Sequence, residues 1–251
     1  MTSRPSSPFH RVYLRLLAAH GSQGWWPTTP PSGTGPRYYP GESSRTLDES
    51  ERWEIAVGAV LTQNTAWRNA ELALVRLLAE KALAPEPMAG LPLARLAELI
   101  RSSGYYNQKA RRLHGLARHL IDRYDGRMSS LLGRPTAQVR QELLSLDGIG
   151  PETADSILLY AGGHPIFVVD AYTRRILNRL GILDHRLSYA GVQEALMAGL
   201  PLDADLFNEY HALLVRHGST SCRATPRCRD CSLGRGCEYR KNQSPHDGGE
   251  P

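Results

Sequence analysis

Apolar residues recur at helical spacing along most of the chain. The densest run, Trp53 to Leu61, is apolar on nearly every side, which predicts a helix buried at the centre of the fold. Further helices are predicted over 9–19 and near 68–82, 91–101, 107–125, 136–145, 151–162, 171–181, 188–199 and 203–217. No segment alternates convincingly between apolar and polar residues, as a half-buried strand would. The fold class predicted from this pattern is all-α.

Local signals mark where these helices start and where loops lie. The run Thr46-Leu47-Asp48-Glu49 predicts a capping box ahead of the central helix. Pro151 suits a first helical position, since its missing N–H has no helical partner there. The segment Pro27–Ser44 is rich in Pro, Gly, Ser and Thr and predicts a loop or flexible insertion. The polar tail Asn242–Pro251 is expected to be disordered.

Composition narrows the class of protein. With 251 residues, of which 41% are hydrophobic, the chain can bury the core of one large domain or two small ones. A net charge of +5 and a pI of about 9.1 favour a polyanionic partner. The sequence contains no run of eighteen apolar residues, so it predicts no membrane span. Its first residues lack the apolar core of a signal peptide. We therefore expect a cytoplasmic protein.

The four cysteines lie close together, at Cys222, Cys228, Cys231 and Cys237. Clustered thiols in a reducing compartment indicate a metal site more than disulfides. Four thiolates suit tetrahedral zinc or a [4Fe–4S] cluster, and the spacing alone does not decide between them. The segment 218–241 around them carries six basic and two acidic side chains, which suits a contact with phosphates.

A Gly-x-Gly turn joins two helical segments at Gly148 and Gly150, within Leu146-Asp147-Gly148-Ile149-Gly150-Pro151-Glu152-Thr153-Ala154. Such a turn presents backbone N–H groups at a helix start, which is a site for an anion such as a DNA phosphate. Val168-Val169-Asp170 follows soon afterwards. Asp170 suits the N-cap of the next helix, and a cap also holds a carboxylate in place for chemistry.

These segments resemble the helix-hairpin-helix DNA glycosylases of the endonuclease III superfamily. The resemblance extends from about 55 to 240 and includes three further blocks in the family's order: Val60–Thr65, Ser103–Ala110 and the cysteine cluster. It implies a two-lobed helix-hairpin-helix glycosylase fold with a C-terminal [4Fe–4S] cluster loop over 218–238. The first cysteine gap is one residue shorter than in endonuclease III, so the loop is expected to differ slightly.

The resemblance also implies the chemistry. Asp170 matches the aspartate that assists base loss, where a carboxylate stabilises positive charge on the sugar and can activate water. Bifunctional endonuclease III enzymes carry a lysine at the position of Glu152, and that amine forms a Schiff base with the sugar. A carboxylate cannot form an imine, and none of the chain's three lysines lies in this segment. We therefore expect a monofunctional glycosylase without strand cleavage.

The aromatic residues indicate the substrate. Trp25, Trp26 and Trp67 match positions that shape the base pocket in the 3-methyladenine glycosylase branch of the superfamily. Electron-rich rings suit a positively charged alkylated purine by stacking and cation–π attraction. Gln63 and Tyr105 match residues that fill the gap left by the flipped nucleotide or wedge into the base stack.

The resemblance further implies two lobes with damaged double-stranded DNA in the cleft between them. A helical-barrel lobe is predicted over 48–164, and the second lobe joins 1–47 to 165–251. We expect a monomer. Two alternatives remain open: an endonuclease III-like glycosylase for oxidised or mismatched pyrimidines, and a DNA-damage-binding protein with little turnover.

Overall fold

A computed structural model describes residues 7–42 and 45–243. In this part of the chain the regular structure is helical, apart from one isolated antiparallel bridge between Thr28 and Arg37. The all-α prediction is thus confirmed. The α-helices are α1 (Pro8–His20), α2 (Glu49–Leu61), α3 (Trp67–Ala79), α4 (Pro85–Gly90), α5 (Leu93–Leu99), α6 (Tyr106–Tyr124), α7 (Met128–Leu132), α8 (Thr136–Leu144), α9 (Pro151–Ser156), α10 (Ala171–Arg179), α11 (Tyr189–Gly199), α12 (Ala204–Thr220) and α13 (Glu238–Gln243).

The chain divides into two compact units, each described here by itself. The central unit comprises 24–42 and 45–166, and the terminal unit comprises 7–23 and 167–243. The sequence predicts 24–47 and 165–166 in the terminal lobe, whereas their described residues group with the central unit. In the first of these segments, Thr28 and Thr29 hydrogen-bond to Glu51 and Glu54 of α2, at distances of 2.8 Å.

Helix α2 is buried along its length, as the apolar run predicted. Trp53, Val57 and Leu61 are each at most 1% exposed, and α2 packs against α3, α6, α7 and α9. Its N-terminus carries a capping box, but two residues later than predicted. The side chain of Asp48 accepts from the Glu51 amide at 2.9 Å, and the Glu51 carboxylate accepts from the Asp48 amide at 3.0 Å. Asp48 and Glu51 have the same three-residue spacing as Thr46 and Glu49, so the sequence allowed both registers.

Two other predictions differ from the structure in detail. The helix predicted over 151–162 is α-helical only through α9 and continues as a π-turn over Ile157–Ala161. Its wider ring is closed by the Gly162 amide, which donates to the Ile157 carbonyl at 3.2 Å. The predicted loop 27–44 contains no helix in its described part, 27–42. Arg37 of this loop and Arg45, which follows it, both lie over the ring of Tyr39.

The predicted loop 27–44 and the predicted disordered tail 242–251 are each described only in part. Ser43 and Ser44 lie outside the described residues, as do 244–251 of the tail, whereas Asn242 and Gln243 end helix α13. No helix in the described part of the chain is long and apolar enough to cross a membrane.

Candidate functional site

The hairpin of the central unit runs from the end of α8 to the start of α9. Gly148 has φ +72°, a conformation that favours glycine, whereas Gly150 is extended with φ −88°. Ile149 between them is buried and fixes the turn to the core, while Pro151 and Glu152 are exposed at the start of α9. Among the described residues, no side chain caps the N-terminus of α9.

Gln63 lies against this hairpin. Its amide nitrogen donates to the Gly148 carbonyl at 3.0 Å and to Thr153 Oγ1 at 2.8 Å. Its amide oxygen accepts from Arg112 Nη1 at 2.5 Å. Gln63 therefore connects the segment after α2 with the Gly-x-Gly turn. The sequence did not single out Arg112, because its role depends on α6 passing beside the turn.

Tyr105 is 66% exposed and directly precedes α6, two residues after a 3₁₀ turn over Arg101–Ser103. Its φ of +46° and ψ of 30° are left-handed, a strained conformation for a large side chain. An exposed aromatic ring held in this way suits insertion into a base stack, the role implied by the resemblance.

Lys109 stabilises the turn that precedes Tyr105. It is 1% exposed, and its Nζ donates to the carbonyls of Leu61 and Ser103 at 2.8 and 2.7 Å. Burial, followed by the charge of Arg112, lowers the pKa of Lys109 to about 8. Lys109 thus joins the end of α2, two residues before Gln63, to the turn before Tyr105. The sequence contained it within a motif block but gave no sign that its ammonium group is buried.

The three predicted pocket tryptophans come together in the central unit. Ring centroids are 5.6 Å apart for Trp25 and Trp26, 5.5 Å for Trp26 and Trp67, and 6.4 Å for Trp25 and Trp67. Two tyrosines that the sequence missed complete the cluster. Tyr160, on the π-turn, lies 5.1 Å from Trp26 and 6.2 Å from Trp25, and Tyr38 lies 6.5 Å from Trp25.

Helix α2 determines how closely Trp26 approaches. A β-carbon at Gly58 would lie 3.1 Å from the indole of Trp26, so glycine allows the ring to pack directly on the helix. The indole nitrogen of Trp26 is buried without a hydrogen-bond partner among the described residues. One turn earlier, Glu54 binds the amide and hydroxyl of Thr29 and so anchors the loop that carries both tryptophans. Burial raises the pKa of Glu54.

Asp170 is the N-cap of α10 in the terminal unit, as predicted. Its Oδ1 accepts from the Thr173 amide at 2.7 Å, and only 8% of the residue is exposed. His211 of α12 faces the other oxygen, with Nε2 3.7 Å from Oδ2. Burial alone would raise the pKa of Asp170, but His211 and Thr173 outweigh it and hold that pKa below its usual value. The site therefore favours an ionised carboxylate.

The four cysteines are partly buried in the loop between α12 and α13. Burial raises the pKa of Cys231, and the charges of Cys222, Cys228 and Cys237 raise it further. Within the described residues, no group of three or more His, Cys, Asp or Glu side chains is arranged to hold a single metal ion. In a [4Fe–4S] cluster each thiolate binds its own iron, and four cysteines in one short loop supply that donor set.

Helix α10 holds this loop through two arginines. Arg175 donates to the carbonyls of Cys222 and Gly218 at 2.9 Å each. Arg179 donates to the carbonyls of Arg223 and Ala224, and its Nη1 lies 3.4 Å from the sulfur of Cys222. The helix that begins at Asp170 thus also fixes the start of the cysteine loop.

The hairpin, the capped aspartate and the all-helical fold together define a helix-hairpin-helix DNA glycosylase. The chain belongs to the HhH-GPD superfamily of base excision DNA repair proteins, whose pattern matches residues 57–202. The resemblance found in the sequence is confirmed, and it makes the chain a base excision DNA repair glycosylase.

Individual relatives agree with this assignment. A Methanocaldococcus jannaschii protein, provisionally named a DNA repair glycosylase, is 37% identical over 91% of this chain and 94% of its own length. Endonuclease III of Thermotoga maritima is 33% identical over 78% of this chain and 86% of its own.

Solved structures show the same fold. The Helicobacter pylori 3-methyladenine DNA glycosylase bound to 1,N6-ethenoadenine is 28% identical, with a TM-score of 0.60 over 70% of this chain and 91% of its own. A non-covalent endonuclease III–DNA complex is 29% identical, with a TM-score of 0.67 over 80% of this chain and 87% of its own.

Proposed function

We propose that this glycosylase is monofunctional and excises alkylated purines, 3-methyladenine in particular, from double-stranded DNA. The observation that carries the proposal is the aromatic cluster of Trp25, Trp26 and Trp67 with Tyr160. A purine alkylated at a ring nitrogen is cationic, and the faces of indole rings attract cations while stacking on the base. The H. pylori relative, which binds 1,N6-ethenoadenine, is a glycosylase of this substrate class.

Asp170 supplies the charge that the reaction needs. Loss of the base leaves positive charge on the sugar, and an ionised carboxylate stabilises that charge as it develops. The same group can accept a proton from the attacking water. A cationic base is already a good leaving group, so a site without a strong general acid suffices.

Glu152 determines the product in this proposal. It is exposed at the first turn of α9, where bifunctional relatives carry the lysine that attacks the sugar. A carboxylate forms no imine, so water is the nucleophile and the DNA backbone remains intact. The expected product is an abasic site with an unbroken strand.

The hairpin and two neighbouring residues bind the DNA in this proposal. The amides around Gly148 and Gly150 contact a phosphate, Tyr105 wedges into the base stack, and Gln63 faces the space left by the extruded nucleotide. Gln63 is already bound to the hairpin at Gly148, so engaging the unpaired base exchanges a protein partner for a DNA partner. The cysteines Cys222, Cys228, Cys231 and Cys237 hold a [4Fe–4S] cluster, which orders the basic loop around them.

The test is release of free base from duplex DNA that carries 3-methyladenine or 1,N6-ethenoadenine. Wild type should release the base, and strands should break only after alkali. Asp170→Asn should lose about 10²- to 10⁴-fold in the single-turnover rate while keeping its affinity for DNA. Asp184→Asn, which changes an exposed aspartate of the same unit that pairs with Arg186, is the matched control and should behave as wild type.

A second candidate is removal of oxidised or mismatched pyrimidines, favoured by the 33% identity to T. maritima endonuclease III. Release of thymine glycol or mismatched thymine, with no action on alkylated purines, would assign that function instead. Binding to lesions without release of any base would indicate a damage-binding protein.

A further inference from the structure

Three buried polar residues of α12, namely Glu209, His211 and His217, face different partners. Glu209 accepts from the Gln23 amide and from Ser22 Oγ, both at 2.7 Å. His217 lies 3.5 Å from the sulfur of Cys231. His211, only 5% exposed, faces Asp170 with Nε2 3.7 Å from Oδ2. Because burying a polar side chain costs free energy unless a partner compensates for it, each of these three side chains calls for a specific explanation.

The Asp170 carboxylate has two oxygens with different surroundings. Oδ1 accepts the Thr173 amide at 2.7 Å, which is a short hydrogen bond to an anion. Oδ2 is the oxygen that faces His211. The imidazole therefore limits rotation of the carboxylate about its bond to the β-carbon, while the amide holds the opposite side.

A buried carboxylate is unstable as an anion unless neighbouring groups compensate for the lost water. The titratable group that faces Asp170 from α12 is His211, and α10 itself contributes the uncharged Thr173. The positive end of the α10 dipole adds a further contribution at the N-cap. His211 is therefore the side chain whose removal should alter the charge of Asp170 most.

We propose that His211 is a positioning residue of the glycosylase: it keeps the Asp170 carboxylate ionised and fixed in one orientation. It does so through the field of its imidazole and by occupying the space beside Oδ2, since 3.7 Å exceeds a hydrogen bond. The inference rests on the proposed catalytic role of Asp170. It explains how an acid that is almost fully buried remains charged at the pH at which DNA repair takes place.

The test compares His211→Phe, His211→Asn and His211→Gln with Tyr210→Phe as control. Phenylalanine fills the space without a nitrogen, asparagine is too short to reach Oδ2, and glutamine can present an N–H near the position of Nε2. Tyr210 is adjacent, and its buried hydroxyl has no hydrogen-bond partner among the described residues, so its loss should leave Asp170 unaffected. All variants are examined as the full chain.

The first measurement is independent of activity. The carboxyl carbon of Asp170 is followed by NMR against pH in protein labelled at aspartate, its signal being the one missing from Asp170→Asn. We expect the pKa of Asp170 to rise in His211→Phe and His211→Asn and to stay near the wild-type value in His211→Gln. Should the phenylalanine variant not fold, the asparagine and glutamine variants provide the same comparison.

The second measurement is the single-turnover rate of base release against pH. The acid limb of the profile should move to higher pH in the phenylalanine and asparagine variants. At a given pH on that limb, the rate should fall about tenfold for each unit by which the pKa of Asp170 rises. DNA affinity should stay within about twofold of wild type, because His211 acts through Asp170 and not on DNA. A packing role alone would lower the rate equally at every pH.

An unchanged pKa of Asp170 in His211→Phe, or in His211→Asn if the former does not fold, would overturn the inference. If wild type releases no base from any lesion, the proposed function fails, and the NMR titration still decides whether His211 controls the charge of Asp170. The two failures are thus distinguished.

Discussion

The guanidinium group of Arg112 occupies the space that a side chain at Gly148 would need. A β-carbon built on Gly148, in the hairpin turn, would lie 1.9 Å from Nε of Arg112 in α6. The turn of the hairpin is therefore matched to α6 by the absence of a side chain at Gly148. Arg112 in turn donates to Gln63, so this fit also fixes the residue that we propose faces the extruded nucleotide.

We predict that Gly148→Ala lowers both stability and DNA affinity. The left-handed backbone alone costs roughly 1–2 kcal/mol for a residue with a β-carbon, and the contact with Arg112 adds to this. The measurements are the free energy of unfolding in urea and the dissociation constant for duplex DNA. Gly150→Ala is the control, because Gly150 is extended and no atom lies within 4 Å of a β-carbon there. Equal stability of the two variants would contradict the prediction.

Trp67→Leu should reduce the preference for a cationic base. Loss of one cation–π contact of about 0.5–2 kcal/mol corresponds to a decrease of roughly 2- to 30-fold in discrimination. The measurement is the ratio of single-turnover rates for 3-methyladenine and a neutral lesion base, 1,N6-ethenoadenine. Trp53→Leu removes a core indole outside the aromatic cluster and should lower stability without changing this ratio. A ratio unchanged by Trp67→Leu would remove Trp67 from the pocket.

Glu152→Lys should introduce covalent chemistry at the hairpin. An exposed amine at the first turn of α9 occupies the position from which lysine attacks the sugar in bifunctional relatives. Borohydride should trap an adduct between this variant and lesion-containing DNA. Wild type and Glu152→Gln should give none. A trapped adduct with wild type would show that another amine attacks the sugar and that the enzyme is not monofunctional.

Removal of one cysteine should abolish binding of the proposed [4Fe–4S] cluster. Wild type purified without oxygen should contain about four iron and four sulfide ions per chain, with the brown colour of iron–sulfur proteins. Cys228→Ala should lose them, and the loop held by Arg175 and Arg179 should become sensitive to protease. Ser232→Ala, in the same loop, should keep the cluster. A stoichiometric zinc ion without iron in wild type would replace the cluster by a zinc site.

Glu142 should make the stability of the central unit depend on pH. Burial alone raises the pKa of Glu142, but hydrogen bonds from Tyr124, Arg134 and His119 outweigh it and lower that pKa from the ordinary 4.5 to about 2. Because this pKa is lowered, the ionised Glu142 carboxylate stabilises the fold fully above pH 4.5, and its contribution is lost as the pH falls toward 2. Glu142→Gln should therefore be less stable than wild type at neutral pH, by about 1–3 kcal/mol.

The difference between Glu142→Gln and wild type should shrink across the same acidic range. Urea unfolding at several pH values measures it. Glu80→Gln, which breaks an exposed pair with Arg95, should change stability by at most about 1 kcal/mol at any pH. A constant difference between Glu142→Gln and wild type would show that its hydrogen bonds do not depend on charge.

Much of the fold and part of the candidate site were predictable because they depend on local sequence. The apolar run of α2, the Gly-x-Gly turn and the cap at Asp170 are each specified by adjacent residues. The sequence missed Lys109, Arg112, Tyr160 and His211, since their roles depend on which elements pack together. The same holds for the loop that follows α1, whose Thr28 and Thr29 are bound by Glu51 and Glu54 of α2.

The π-turn that carries Tyr160 has a consequence for how the aromatic cluster can change. A π-turn holds one more residue than the α-helical turn it replaces, so deleting one residue within 157–161 would restore regular helix. Because each residue of an α-helix advances by roughly 100°, such a deletion would rotate the side chains that follow it in the chain relative to those that precede it. Tyr160 would then face Trp26 differently. A single codon lost or gained in this turn could thus reshape the cluster with all three tryptophans unchanged. Under the proposed function, such an insertion or deletion would alter the base pocket without a substitution at any of its tryptophans.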